Sequence, residues 1–165
     1  MLTATSEYAL RALIRLARLP KEISILGREL AEQSHIPRNY LVKILVALRN
    51  VGMVEAGRGQ GGGYRLSKPP EQIRLIDVVE VFEGIRSKPG CLLGENPECS
   101  DEHPCSAHAA WREVRHAYMQ FLTTKTIADI AAPTAPPLVS LAAESEGQPP
   151  SDLMVSASQE TVPTE

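Results

Sequence analysis

Residues 57–64 read GRGQGGGY, and this glycine run constrains the fold more than any other stretch. Gly57, Gly59 and Gly62 fit the spacing G-x-G-x-x-G that marks dinucleotide-binding turns. Such a turn needs a helix after it, because the pyrophosphate rests on the exposed N–H groups of that helix's first turn. The chain instead continues as Tyr64-Arg65-Leu66-Ser67-Lys68-Pro69-Pro70, a short alternating run ended by two prolines that a helix interior would not accept. The stretch therefore predicts a β-hairpin. Met53-Val54-Glu55 enters it, Tyr64-Arg65-Leu66 leaves it, and Gly61 to Gly63 supply the positive φ values of a tight turn.

Three helices are expected before the hairpin. From Ser6 to Ala17, the residues Leu10, Leu13, Ile14 and Ala17 recur at helical spacing, with Arg11, Arg15 and Arg18 opposite. A second helix starts near Ser24 as N-cap and runs to Gln33, with Leu26 and Leu30 as core positions. After the break at Ser34-His35-Ile36, Pro37 suits the first turn of a third helix, and Gly52 suits its stop. Its apolar row is Leu41, Ile44, Leu45 and Leu48, while Arg38, Asn39 and Lys43 face away. Two short helices joined by a tight break, the second presenting Arg, Asn and Lys near its start, have the layout of a helix-turn-helix that reads a major groove. With the hairpin added, the unit is a winged helix. Arg58 and Gln60 stand at the wing tip, within reach of phosphates or the minor groove. Tyr40 is expected to be partly buried, with its hydroxyl on a phosphate.

Charge agrees with this division. Residues 1–75 carry twelve Lys/Arg against six Asp/Glu, residues 76–132 carry five against nine, and residues 133–165 carry none against five. The basic part is the one with the hairpin, as a polyanion-binding face requires. The last segment is rich in Pro, Ser, Ala and Glu without an aromatic residue, so residues from about 133 onward are expected to be a disordered tail. No run of about 18 uncharged apolar residues exists to span a membrane, and Glu7 and spaced arginines interrupt the opening stretch, so the protein is expected to be cytoplasmic. No nucleophile, base and oxyanion-donor set stands out, which argues against an enzyme.

All three cysteines fall within 15 residues, as Cys91, Cys99 and Cys105, and His108 completes a C-x-x-H. Three thiols cannot all pair within one chain, and the loops between them contain Pro and Gly, so convergence on a metal is the economical reading. Three thiolates and an imidazole would satisfy a zinc tetrahedron, yet zinc motifs commonly show a C-x-x-C knuckle that is absent here. The wider spacing suits an iron–sulfur cluster, and reactive thiols without metal are a further reading. His103 reads as a loop residue, and His35 and His116 as surface or packing residues. Downstream, Ala107, Ala110, Trp111, Val114, Tyr118 and Phe121 form one stripe of a long helix. Such a stripe pairs with its copy in a second subunit or packs on the winged domain, and a two-fold dimer suits a palindromic operator in double-stranded DNA.

Taken together, SEYALRALIRLA, IPRNYLVKILVALRNVGMV, RGQGGGYRLSKPPEQIRLIDVVEVFEG, the three-cysteine loop and TTKTIADIA resemble the Rrf2 family of bacterial transcription regulators, which includes IscR, NsrR and RirA, over roughly residues 1–131. The resemblance implies a homodimeric winged-helix DNA binder with a long dimerisation helix, expected here to act as a repressor. In many members an iron–sulfur cluster senses iron, redox state or nitric oxide. By position, Cys91, Cys99 and Cys105 match the cluster cysteines. His108 matches the fourth ligand of the IscR branch, which holds a two-iron cluster (2Fe-2S). Glu7 stands where the NsrR branch, with a four-iron cluster (4Fe-4S), draws an acidic ligand from the partner subunit. The chain departs from IscR proteins in the seven residues between Cys91 and Cys99, and in Val42, where they carry a DNA-contacting glutamate.

The expected architecture is mainly α: a winged helix-turn-helix with a small β-hairpin wing, a long C-terminal dimerisation helix and a disordered tail. By role, residues 1–84 would read DNA, 85–108 would carry the cluster loop, 105–131 would form the dimerisation and C-terminal helices, and 132–165 the tail.

Overall fold

The N-terminal segment becomes helical because Thr3 caps it. The Thr3 hydroxyl accepts the Ser6 backbone N–H at 3.3 Å, satisfying a first-turn donor that no helical carbonyl reaches. The computed structural model describes residues 2–57, 62–87, 91 and 99–132. Its first helix, α1, spans Ala4–Ala17, starting before the run that periodicity alone indicates. The buried face is also wider than that run: Ala9, Ala12 and Leu16 join Leu10 and Leu13 in the core, while Ile14 and Ala17 are half-buried.

The rest of the helical core assembles on α1. Packed against it are α2 (Gly27–Ser34), α3 (Arg38–Asn50), α4 (Leu75–Glu83) and the last helix, α6 (Ile127–Ala131). The small side chains of Ala9 and Ala12, both fully buried, let these neighbours approach α1 closely.

The second helix does not start as expected. Ser24 is not its cap; Leu26 is the N-cap residue, without a side-chain cap bond, and it is 44% exposed instead of in the core. The reason lies one residue earlier. Ile25 is buried and donates its N–H to the Tyr64 carbonyl at 3.1 Å, while accepting the Tyr64 N–H at 2.8 Å. That two-way bridge holds residue 25 extended and delays the helix. At the other end His35 takes a left-handed backbone, with φ 53°. Pro37 then stands at the N-cap of α3, one position before its first turn. Leu41, Ile44, Leu45 and Leu48 are all buried, as their spacing predicts, and Gly52 comes after α3 with φ +67°.

The wing is an antiparallel pair, β1 (Val54–Gly57) and β2 (Gly63–Leu66), with Val54 opposite Leu66 and Glu55 opposite Arg65. Arg65 donates across the strands to the Glu55 carboxylate at 2.5 Å. Gly63 is where the wing meets Ile25: a Cβ added there would lie 2.6 Å from the Ile25 carbonyl oxygen. Gly61, Arg58 and Gln60, the last two expected at the wing tip, lie outside the described residues.

After a 3₁₀ turn at Pro70–Gln72, the chain enters α4, whose Leu75, Ile76, Val78 and Val79 are buried. The long helix α5 (His108–Thr124) buries only Leu122 among the described residues, and Ala107 of the expected stripe is its N-cap residue, just outside it. The chain then returns to the core. Ile127 donates to the Ile73 carbonyl at 2.8 Å, Leu75 donates to the Lys125 carbonyl at 3.0 Å, and Arg18 Nε reaches the Ala131 carbonyl at 3.0 Å. The fold is thus mainly helical with a two-stranded wing, the winged-helix architecture expected. The tail assigned from about residue 133 lies outside the described residues.

Candidate functional site

The first part of the site is the outward face of α3. Burying Leu41, Ile44, Leu45 and Leu48 fixes the helix rotation, and Arg38, Asn39, Tyr40 and Lys43 are all exposed as a result. Arg38 pairs with Glu32 of α2 at 3.1 Å. Tyr40 is partly buried, at 51% exposed, with its ring edge-on to Tyr8 of α1 at 6.2 Å between centroids. Arg11 lies 5.8 Å from the centroid of the same Tyr8 ring, so α1 braces the start of α3 through an edge-on aromatic pair backed by a cation.

The second part is the thiol site. Cys91, Cys99 and Cys105 are all free and half-buried, and their Sγ atoms lie within 4.8 Å of one another. Cys105 precedes the first turn of α5. The Ala107 backbone N–H chiefly, then the Cys99 thiol, stabilise its thiolate and hold its pKa below the usual thiol value, against a desolvation penalty. Cys99 goes the other way. The Cys105 backbone N–H favours its thiolate, but burial and competition with the Cys105 and Cys91 thiols outweigh that and raise its pKa. One thiol of the set is therefore predisposed to carry charge and another to hold its proton.

His108 opens α5 and faces this site. Its Nδ1 lies 3.3 Å from Cys99 Sγ, and its Nε2 lies 2.9 Å from the Asp101 carboxylate, which also binds Arg112 at 3.0 Å. The closely grouped donor set among the described residues is nevertheless the three cysteines alone. Glu7 lies elsewhere, in the first turn of α1, half-exposed and paired with Arg11. His103 is an exposed loop residue, and His35 and His116 are exposed.

The donor set fits a thiophilic metal group: three adjacent thiols, partly shielded from water, with an imidazole at the edge. Tetrahedral zinc, with Zn–S of about 2.3 Å, sets its sulfurs about 3.8 Å apart. A cluster that places each thiolate on a different iron needs them wider. The observed spacing thus takes a single ion with little change, and takes a cluster if the loop opens.

Sequence reasoning missed Asp101 and Arg112. The available signal was that His108 and Arg112 are four apart, on one face of a helix, with an acidic residue in the preceding loop. It also missed the bracing of Tyr40 by Tyr8.

With the winged helix, the exposed α3 face and the grouped thiols in place, the sequence matches the profile of the Rrf2 family, iron-dependent transcriptional regulators, over residues 2–133. The chain belongs to the Rrf2 family. It is 34% identical over 128 residues to a protein of Aquifex aeolicus (strain VF5) named as an HTH-type transcriptional regulator, covering 76% of this chain and 88% of that one. To the regulator NsrR of Shouchella clausii (strain KSM-K16) it is 32% identical over 129 residues, covering 78% and 87%. CymR, the global cysteine regulator of B. subtilis, shares the fold with a TM-score of 0.65 at 27% identity, over 79% of this chain and 95% of that one. As an Rrf2 protein the chain is a DNA-binding transcription regulator and not an enzyme. No helix among the described residues is long and apolar enough to cross a membrane.

Proposed function

We propose that this Rrf2 protein is a cytoplasmic, homodimeric repressor that holds an iron–sulfur cluster on Cys91, Cys99 and Cys105 and binds palindromic operators. The observation that supports a metal group there most is the convergence of three thiols, spread over fifteen residues of sequence, to within 4.8 Å; the iron-dependent character of the family favours a cluster, for which the loop has to open. Residues 1–84 would grip DNA through Arg38, Asn39, Tyr40 and Lys43, with Arg58 and Gln60 at the wing tip. Residues 85–108 would hold the cluster, and 105–131 would join two copies along α5. A bound cluster supplies a centre sensitive to iron supply, oxidation or nitric oxide. His108, or Glu7 of the partner subunit, would complete the ligand set.

Regulation follows from where the thiols sit in the chain. Cys105 precedes the first turn of α5, and His108 is part of it. A rearrangement of the thiol loop therefore displaces the start of the helix proposed to join the subunits, which changes the spacing of the two reading heads. To act as a switch, the occupied site must favour one spacing over the other.

A second reading, regulation by the thiols alone, is favoured by the opposed thiol pKa shifts of Cys105 and Cys99. Anaerobic purification separates the two. The cluster reading expects a coloured protein with iron and sulfide in stoichiometric amounts, lost in Cys→Ala variants, and duplex binding that changes on cluster removal. Iron-free anaerobic protein whose duplex binding responds to thiol oxidants would establish the thiol reading instead. Iron-free protein that binds no duplex better than random DNA would remove both.

A further inference from the structure

We infer that Val42 and Val46 are base-reading residues whose targets are the 5-methyl groups of thymines in the major groove. The inference rests on α3 being the reading helix. Val42 and Val46 are 59% and 53% exposed, one turn apart on α3. With the leucine and isoleucine row turned to the core, the helix presents Asn39, Val42, Lys43, Val46 and Asn50 outward, and Arg38 and Arg49 are exposed beside the valines.

Nothing among the described residues accounts for this pair. A β-branched side chain gives up χ1 freedom in a helix, and at these exposures neither valine regains the loss by burial. Apolar surface set among Arg38, Lys43 and Arg49 is complementary to a polyanion that carries apolar groups between its charges. Duplex DNA is such a partner. Phosphates line the groove, and the thymine methyl is the apolar group displayed at the base edges. Residues four apart on a helix are about 6 Å apart along its axis, against about 3.4 Å between successive nucleotides of a strand. The two valines therefore address thymines one or two steps apart.

The test uses the full-length protein and duplexes selected by it from a random pool. Each thymine of a selected duplex is replaced in turn by deoxyuridine, which lacks only the methyl group. At one or two positions per half-site the replacement should weaken wild-type binding about fourfold, the value of one buried methyl. Val42→Ala or Val46→Ala should abolish that sensitivity at its own position and leave the other intact. Uniform tolerance of deoxyuridine by the wild type overturns the inference while α3 stays the reading helix. So does an equal loss by both alanine variants on thymine and uracil duplexes. Failure to enrich any sequence would overturn the reading-helix assignment as well, and would be visible before any thymine is replaced.

Discussion

Asp101 and His108 form a carboxylate–imidazole pair, with Asp101 Oδ1 2.9 Å from His108 Nε2, and the other ring nitrogen lies 3.3 Å from Cys99 Sγ. The imidazole first, and then Arg112, hold the Asp101 carboxyl below its usual pKa. With the Nε2 proton given to Asp101, the Nδ1 lone pair is turned toward the thiols. A carboxylate placed behind a histidine in this way fixes the tautomer a metal ligand requires.

Asp101→Asn should therefore lower metal retention by about 10-fold to 100-fold if His108 is a ligand, and His108→Ala should lower it further. Iron and sulfide content after anaerobic gel filtration measures both. If both variants retain wild-type iron and Glu7→Gln loses it, Glu7 of the partner subunit is the ligand. The link from cluster to reading head then runs through α1.

Gly63→Ala should destabilise the wing. Its Cβ would stand 2.6 Å from the Ile25 carbonyl oxygen and 2.8 Å from the carbonyl carbon, so the Ile25–Tyr64 bridge has to part. Overpacking of this kind costs about 1–3 kcal/mol, readable as a lower urea midpoint. Gly52→Ala is the control. Nothing lies within 4 Å of its Cβ, and only the left-handed backbone at φ +67° opposes it, at about 1 kcal/mol. Equal destabilisation by the two variants would mean that contact with Ile25 is not what Gly63 serves.

Helix α3 was legible because its pattern is local: Leu41, Ile44, Leu45 and Leu48 repeat at one period, and Pro37 and Gly52 bracket them. The hairpin was legible for the same reason. Leu26 was misplaced because its neighbour Ile25 is recruited by Tyr64, thirty-nine residues away, and no local pattern carries that contact. The Ala9 and Ala12 positions were passed over because alanine is a weak hydrophobic signal; their burial reflects how many helices meet on α1. At the thiol site the cysteines could be read from spacing, whereas the role of Asp101 depends on a loop returning to the first turn of α5.

A pH dependence arises from the capping box at the start of α6. Thr126 and Asp129 cap α6 reciprocally: Asp129 accepts the Thr126 backbone N–H at 2.7 Å, and the Thr126 hydroxyl accepts the Asp129 N–H at 3.3 Å. The Thr126 backbone N–H chiefly, and then its hydroxyl, depress the Asp129 pKa. A depressed carboxyl stabilises the fold above its unfolded pKa, and that contribution is lost as pH falls through the lower folded value. Wild type should thus lose melting temperature faster than Asp129→Asn as pH falls below the ordinary carboxylate value of 3.8 toward the lower folded one, with no difference in slope above it. Parallel curves would show that the box does not hold α6. Thr126→Ala should cost about 1 kcal/mol at neutral pH.

Adjacent residues of α5 should behave oppositely. Leu122 is 1% exposed and Phe121 47% exposed, with Val114 57% exposed further back on the expected stripe. Leu122→Ala should lower stability by about 2–5 kcal/mol at any protein concentration, as loss of a core leucine does. Val114→Glu and Phe121→Glu should leave the monomer folded but shift sedimentation from dimer to monomer at micromolar concentration, with loss of operator binding. A dimer that withstands both glutamates would place the subunit interface elsewhere.

The cations of α3 separate specificity from adhesion. Lys43 is exposed and makes no ion pair among the described residues, so it is available to DNA without a competing bond. Arg38 instead spends its charge on Glu32, in a pair with both side chains about two-thirds exposed, and such a pair is weak. Lys43→Ala should cost on the order of 1–3 kcal/mol on a selected duplex and little on random DNA if the ammonium reads a base. If it contacts phosphate, the loss should be smaller and equal on both duplexes, and the salt dependence should fall by about one ion. Glu32→Ala should strengthen binding, because it removes a carboxylate from the phosphate side and frees Arg38, and Arg38→Ala should cancel that gain when the two are combined. An additive double variant would mean that Arg38 and Glu32 act on DNA independently, and that the bond between them does not restrain the arginine in the bound state.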